Sequence, residues 1–194
     1  MEKFTRLTAA AAPLSLANID TDLIIPARFM KGLARSGLGR HLFQELRYRP
    51  DGTENPDFIL NRSACRDAQI VIADRNFGCG SSREHAVWAL ADFGIRCVIA
   101  PSFGDIFSNN ARKNGLLLIR LPEDVCERLR GEIERAQYAP LTIDLTEQTI
   151  ALASGEVIAF AIDPNDRRTL MEGLDDIART LRHRDVIARF EEDA

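Results

Sequence analysis

The segment Asn76-Phe77-Gly78-Cys79-Gly80-Ser81-Ser82-Arg83-Glu84-His85 holds the densest set of reactive side chains in the sequence. Two glycines let a backbone turn sharply and come close to a ligand. Ser81 and Glu84 have the spacing of a capping box, which predicts that a helix starts there. Free N–H groups at a helix start bind anions, and Arg83 adds a planar cationic fork suited to a carboxylate. The sum is a carboxylate pocket with two hydroxyls at its mouth. A serine-capped joint between a strand and a helix fits the same residues. The doubled serine followed directly by arginine favours chemistry, because a cap needs only one hydroxyl. For His85 a structural place in the first helical turn is the stronger reading. Cys79 reads as a small residue in a tight turn, with a nucleophilic thiol as the alternative.

The elements that must hold this turn are legible on both sides of it. Gln69-Ile70-Val71-Ile72-Ala73 is a short apolar run suited to a buried strand, and Ser81 to Phe93 reads as a helix with Ala86, Ala89, Leu90 and Phe93 on one face. Cys97–Ala100 is a second strand, Phe103–Lys113 a helix ended by Asn114-Gly115, and Leu116–Ile119 a third strand. Pro122–Gln137 is a helix opened by proline and two acids, as the helix dipole favours. Strands alternating with helices predict a parallel sheet. The flanks differ. Phe4–Ala12 and 141–162 read as strands with turns, the second showing period-two alternation and a turn at Gly155. Pro164 to Phe190 reads as two or three short helices. Residues 29–62, rich in glycine and proline, predict a long loop, and such loops are often functional.

The 194 residues suit one domain, 1–194, with 165–194 as a helical tail. A hydrophobic fraction of 45% and a charged fraction of 28% are those of a globular protein, and a net charge of −4 offers no basic surplus for nucleic acid. No apolar run reaches the roughly 18 residues needed to span a membrane. The N-terminus, with Pro13 breaking its apolar stretch, reads as strand and turn and not as a signal peptide. The expected location is the cytoplasm, and the four widely spaced cysteines at 65, 79, 97 and 126 are expected to be reduced. Their spacing resembles no zinc or iron–sulfur site.

Gly78-Cys79-Gly80-Ser81-Ser82-Arg83-Glu84-His85-Ala86 resembles the signature of the swivelling domain of the aconitase superfamily. Asn18-Ile19-Asp20-Thr21-Asp22-Leu23-Ile24-Ile25-Pro26 is similar to the N-terminal signature of isopropylmalate dehydratase small subunits. Three further stretches resemble the longer bacterial form of the same family: Ala100-Pro101-Ser102-Phe103-Gly104-Asp105-Ile106-Phe107, Asn114-Gly115-Leu116-Leu117, and Gly173-Leu174-Asp175-Asp176-Ile177 with Thr180-Leu181. The five stretches run in order over nearly the whole chain.

The resemblance implies an α/β fold, a swivelling β/β/α domain of the aconitase C-terminal type with a helical tail. It implies a hydro-lyase of leucine biosynthesis that interconverts 2- and 3-isopropylmalate, active only with a large subunit that holds a [4Fe–4S] cluster, this chain binding no cofactor or metal. By the family pattern Ser81 is the general base, and Ser82 and Arg83 hold substrate carboxylates. Asp22 falls at an active-site aspartate that orients an arginine, although Asp20 and Asp22 around Thr21 also suit a simple turn. A recognition loop follows Pro26. There Phe29, Met30, Leu33 and Leu38 are candidates to bury an isopropyl group, at about 0.8 kcal/mol per CH₂. Arg35 is a candidate for the shared carboxylates, or is solvated. Two other readings stay open. A sister hydro-lyase subunit for homoaconitate, citraconate or a dimethylmalate would keep the serine turn, and a non-enzymatic RNA-binding module is the alternative of another class.

Overall fold

The computed structural model describes residues 1–30, 36–174, 176–181 and 184–192. In chain order the elements are β1 (Arg6–Ala9), β2 (Ala11–Leu14), α1 (Thr21–Ile24), α2 (Gln44–Arg47), β3 (Ile70–Ala73), α3 (Glu84–Phe93), β4 (Cys97–Ala100), α4 (Asp105–Asn114), β5 (Leu117–Arg120) and α5 (Glu123–Arg135). There follow β6 (Leu141–Asp144), β7 (Thr149–Ala151), β8 (Val157–Ala159), α6 (Pro164–Glu172), α7 (Asp176–Leu181) and α8 (Arg184–Glu192).

Two four-stranded sheets form, ordered β2-β3-β4-β5 and β1-β6-β7-β8. The first is parallel throughout, as the strand–helix alternation predicts. The second is antiparallel. Every residue of β2, β3 and β4 is buried, which is why these strands read as unbroken apolar runs. Their side chains alternate between two cores. Val71, Ala73, Val98 and Ala100 face α3, α4 and the segment before β3. Ile70, Ile72, Cys97 and Ile99 face α5 and the antiparallel sheet. The parallel sheet is thus the middle layer. Pro13, which lacks a backbone N–H, is tolerated because β2 is an edge strand.

The helices follow from local rules. α3 buries Ala86, Val87, Ala89 and Leu90 and ends at Gly94, whose φ of 110° is the left-handed cap that glycine favours. α5 opens after Pro122 with Glu123 and Asp124 in its first turn. On its buried face Arg130 donates from Nη1 to the carbonyl of Ala73 at 2.8 Å, which fixes the end of β3 just where the serine turn begins.

Phe4–Ala12 holds two strands, β1 and β2, which belong to different sheets with only Ala10 between them. Two expectations are corrected. The region 29–62 is not simply a loop. Its described part folds into α2 and short 3-10 turns that bury Leu38, Leu42, Phe43, Phe58, Ile59 and Leu60. The predicted capping box does not form, since α3 starts at Glu84 with Arg83 at the cap position and no side-chain cap bond.

Candidate active site

The chain leaves β2 and β3 at neighbouring carboxyl ends, the edge where parallel sheets present their ligands. Backbone pairing continues beyond both strands. Asn18 N–H donates to the Arg75 carbonyl at 2.9 Å, Gly78 N–H to Ile19 at 2.7 Å, and Thr21 N–H to Cys79 at 3.0 Å. Two segments separated by about sixty residues are therefore stitched side by side.

Left-handed residues shape both segments. Asn18 and Asn76 have φ of 55° and 61°, a region that asparagine tolerates better than most residues. Asn76 Nδ2 donates to Asn18 Oδ1 at 2.9 Å, and the Asn76 N–H donates to Ser102 Oγ at 2.9 Å. Gly78 has φ 74°, and a Cβ placed on it would lie 2.2 Å from the Phe107 ring. No larger residue fits there, so the turn lies flat on α4.

Beyond the glycines, Ser81 and Ser82 are exposed. Arg83 N–H donates to the Ser81 carbonyl at 2.8 Å, which closes a tight three-residue turn before α3. Glu84 is drawn away from any capping role. Its carboxylate accepts from Asn114 Nδ2 at 2.8 Å, and Asn114 Oδ1 accepts from Trp88 Nε1 at 3.0 Å. His85 packs against Trp88 at 4.7 Å between ring centroids.

The two aspartates around Thr21 have separate work. Asp20 caps α1 by accepting from Leu23 N–H at 2.7 Å. Asp22 accepts from Arg83 Nη1 and, at 3.1 Å, from Ala27 N–H. The hydrogen bond from Arg83, followed by that from Ala27, holds the Asp22 carboxyl below its ordinary range. Arg83 is thus fixed by one nitrogen while the rest of its fork remains available. Thr21 itself is 2% exposed, with its hydroxyl 3.1 Å from the Ser81 carbonyl oxygen and 3.3 Å from Ser81 Oγ.

The structure therefore brings Ser81, Arg83 and Asp22 together, with Ser82 beside them. The recognition residues separate. Phe29 stacks on His41 at 3.9 Å with Arg28 over its ring, and Met30 packs against the core. Leu38 is 8% exposed and belongs to the core. Leu33 and Arg35 lie outside the described residues. Sequence reasoning missed Thr21, Asn18 and Asn76. For the asparagines the available signal was an Asn placed just before each turn. Thr21 offered none, because its partner is 60 residues away.

Burial pushes the Cys65 and Cys126 thiols up to about 11 and that of Cys97 well above its ordinary value. Such thiols are core residues, inert as ligands. Among the described residues no group of three or more His, Cys, Asp or Glu is placed to hold a metal.

Comparison with known proteins gives a consistent result. A family model described as the Aconitase C-terminal domain matches residues 1–124, and one described as LeuD_N matches residues 127–164. The 3-isopropylmalate dehydratase small subunit of Granulibacter bethesdensis is 60% identical over 192 residues, covering 99% of this chain and 92% of that protein. That of Roseobacter denitrificans is 56% identical over 194 residues, covering 100% and 96%. The crystal structure of a 3-isopropylmalate dehydratase (leuD) from Methanocaldococcus jannaschii superposes with a TM-score of 0.69 at 24% identity, covering 96% of this chain and 99% of that one, and shares its fold.

Proposed function

Because the chain belongs to the family of 3-isopropylmalate dehydratase small subunits, we propose that it joins a large subunit to interconvert 2- and 3-isopropylmalate by removing and re-adding water. The family is one of hydro-lyases of leucine biosynthesis. In this reading Ser81, as its alkoxide, takes the proton from the carbon next to a carboxylate. Ser82 and Arg83 hold substrate carboxylates, and Asp22 orients Arg83. The observation that carries the reading is the Arg83–Asp22 ion pair, formed across 61 residues of sequence beside two exposed serines.

A serine hydroxyl titrates far above neutrality, so its alkoxide needs support. The dipole at a helix N-terminus contributes about 0.3–1 kcal/mol and fades within a turn. Ser81 stands three residues ahead of α3, so little of that reaches it. At about 1.36 kcal/mol per pKa unit, the remainder falls to Arg83, to neighbouring donors and to exclusion of water when the partner closes over the turn.

The family's [4Fe–4S] cluster does not fit this chain's thiols, three of which are buried and protonated. We assign the cluster to the large subunit, and no step on this chain passes through it. In this reading the segment after Pro26 recognises the substrate's variable group, Phe29, Met30 and Leu33 taking the isopropyl group and Arg35 the shared carboxylates, while Leu38 acts only as support from the core. A net charge of −4 argues against nucleic acid as a partner. No helix among the described residues is long and apolar enough to cross a membrane. The test is reconstitution with the large subunit. The complex should turn over isopropylmalate faster than homoaconitate, citraconate or a dimethylmalate, and the chain alone should turn over none. Turnover by the isolated chain, or preference for another acid, overturns the reading.

A further inference from the structure

A threonine hydroxyl has one proton to give and two lone pairs. The Thr21 hydroxyl faces two oxygens of Ser81, the carbonyl at 3.1 Å and Oγ at 3.3 Å. A carbonyl only accepts, so the Thr21 proton is committed there. The second contact is then made by Ser81 Oγ–H donating to Thr21. When Ser81 loses its proton this arrangement cannot persist, because two acceptors face one donor. The charged alkoxide makes the stronger hydrogen bond, so the Thr21 O–H turns from the carbonyl to donate to it.

Thr21 is built to hold such a hydroxyl still. It is 2% exposed, its N–H donates to the Cys79 carbonyl at 3.0 Å, and its own carbonyl accepts from Ile25 at 3.0 Å. A β-branched side chain has few rotamers. The turn lies close against α1 at Gly80, where a Cβ would come within 3.3 Å of Asp20 Cβ. Only the hydroxyl hydrogen is free to turn, so the response to charge on Ser81 moves a proton and no heavy atom.

We propose that Thr21 is the positioning residue for Ser81, accepting a hydrogen bond from it while the serine is neutral and donating one to it when it is an alkoxide. The proposal rests on the reading of Ser81 as the base. As substrate carbon gives its proton to the Ser81 alkoxide, Thr21 swings its hydrogen back to the Ser81 carbonyl and accepts the new O–H.

The experiment uses the complex with the large subunit and compares Thr21→Val, Thr21→Ser, Ser81→Ala and the Thr21→Val/Ser81→Ala double variant. Loss of a hydrogen bond to a charged group predicts that Thr21→Val lowers kcat by about 10- to 100-fold with KM within about twofold. The alkaline rise of kcat should move to higher pH, because the alkoxide has lost a donor. Thr21→Ser should restore most of the rate. In the Ser81→Ala background, Thr21→Val should change kcat by less than about twofold. Full turnover by Thr21→Val while Ser81→Ala is inactive overturns the role of Thr21 alone. A loss that Thr21→Ser does not repair, or one equally large without Ser81, overturns it too and marks Thr21 as merely structural. Full turnover by Ser81→Ala removes the base and this proposal together.

Discussion

Arg83 donates to the carboxylate of Asp22 from the cap position of α3, so the two segments that leave β2 and β3 meet in one ion pair. The pair has a pH signature. The Asp22 carboxyl is held low by Arg83, so the pair is complete above the ordinary carboxylate range and is lost as pH falls through the lowered value. A carboxyl NMR titration should give Asp22 a midpoint below that of an exposed aspartate, and Arg83→Gln should raise it. An unchanged midpoint in Arg83→Gln means that the pair does not form in solution. Because Asp22 is exposed, the expected effect on global stability is small.

The serines and the arginine should separate in kinetics measured with the large subunit. Ser81→Ala should lower kcat greatly and leave KM near its original value, the pattern of lost transition-state chemistry. Arg83→Lys keeps the charge but loses the planar fork. It should raise KM and lower kcat/KM by about 1.5–3 kcal/mol. Ser82→Ala should fall between them. Since Ser81 makes no cap bond to α3, its replacement should shift stability by no more than about 0.5 kcal/mol, the usual range for surface positions. A loss of about 1 kcal/mol with normal turnover is the mark of a helix cap and contradicts the catalytic role.

Gly78 tests how tightly the turn is seated. Gly78→Ala adds a methyl group against the Phe107 ring at a positive φ. The expected cost is about 2–4 kcal/mol in urea unfolding, from overpacking and left-handed strain together. A neutral result means that the turn does not rest on α4 as described.

Leu38 decides between two roles. Its burial predicts that Leu38→Ala costs about 2–5 kcal/mol of stability, with the ratio of rates on isopropylmalate and its analogues unchanged. A changed ratio at full stability would return Leu38 to the recognition surface.

What the sequence displayed and what it concealed divide along physical lines. β3, β4 and β5 are apolar runs, α3 has a clear buried face, and the glycine turn advertises itself, so the middle layer and the serines were readable. The start of α3 was misread because the partner of Glu84 is Asn114, which local spacing cannot reveal. Residues 36–62 hid their core contribution because their turns are too short to show a period. Thr21 was hidden for a related reason. A buried hydroxyl between two exposed acids gains its meaning only when the other segment is laid beside it.

A last consequence lies in Ala10, the one residue between β1 and β2. One residue of extended chain spans about 3.3–3.6 Å, so the outer antiparallel sheet has almost no slack relative to the middle layer. Sliding one over the other by more than that would strip hydrogen bonds from β1 or β2, and β2 runs directly into Asn18, Thr21 and Asp22. Any displacement of the serine turn must therefore carry both sheets as one piece. The serine turn thus rests on a frame in which one short link ties the two sheets together.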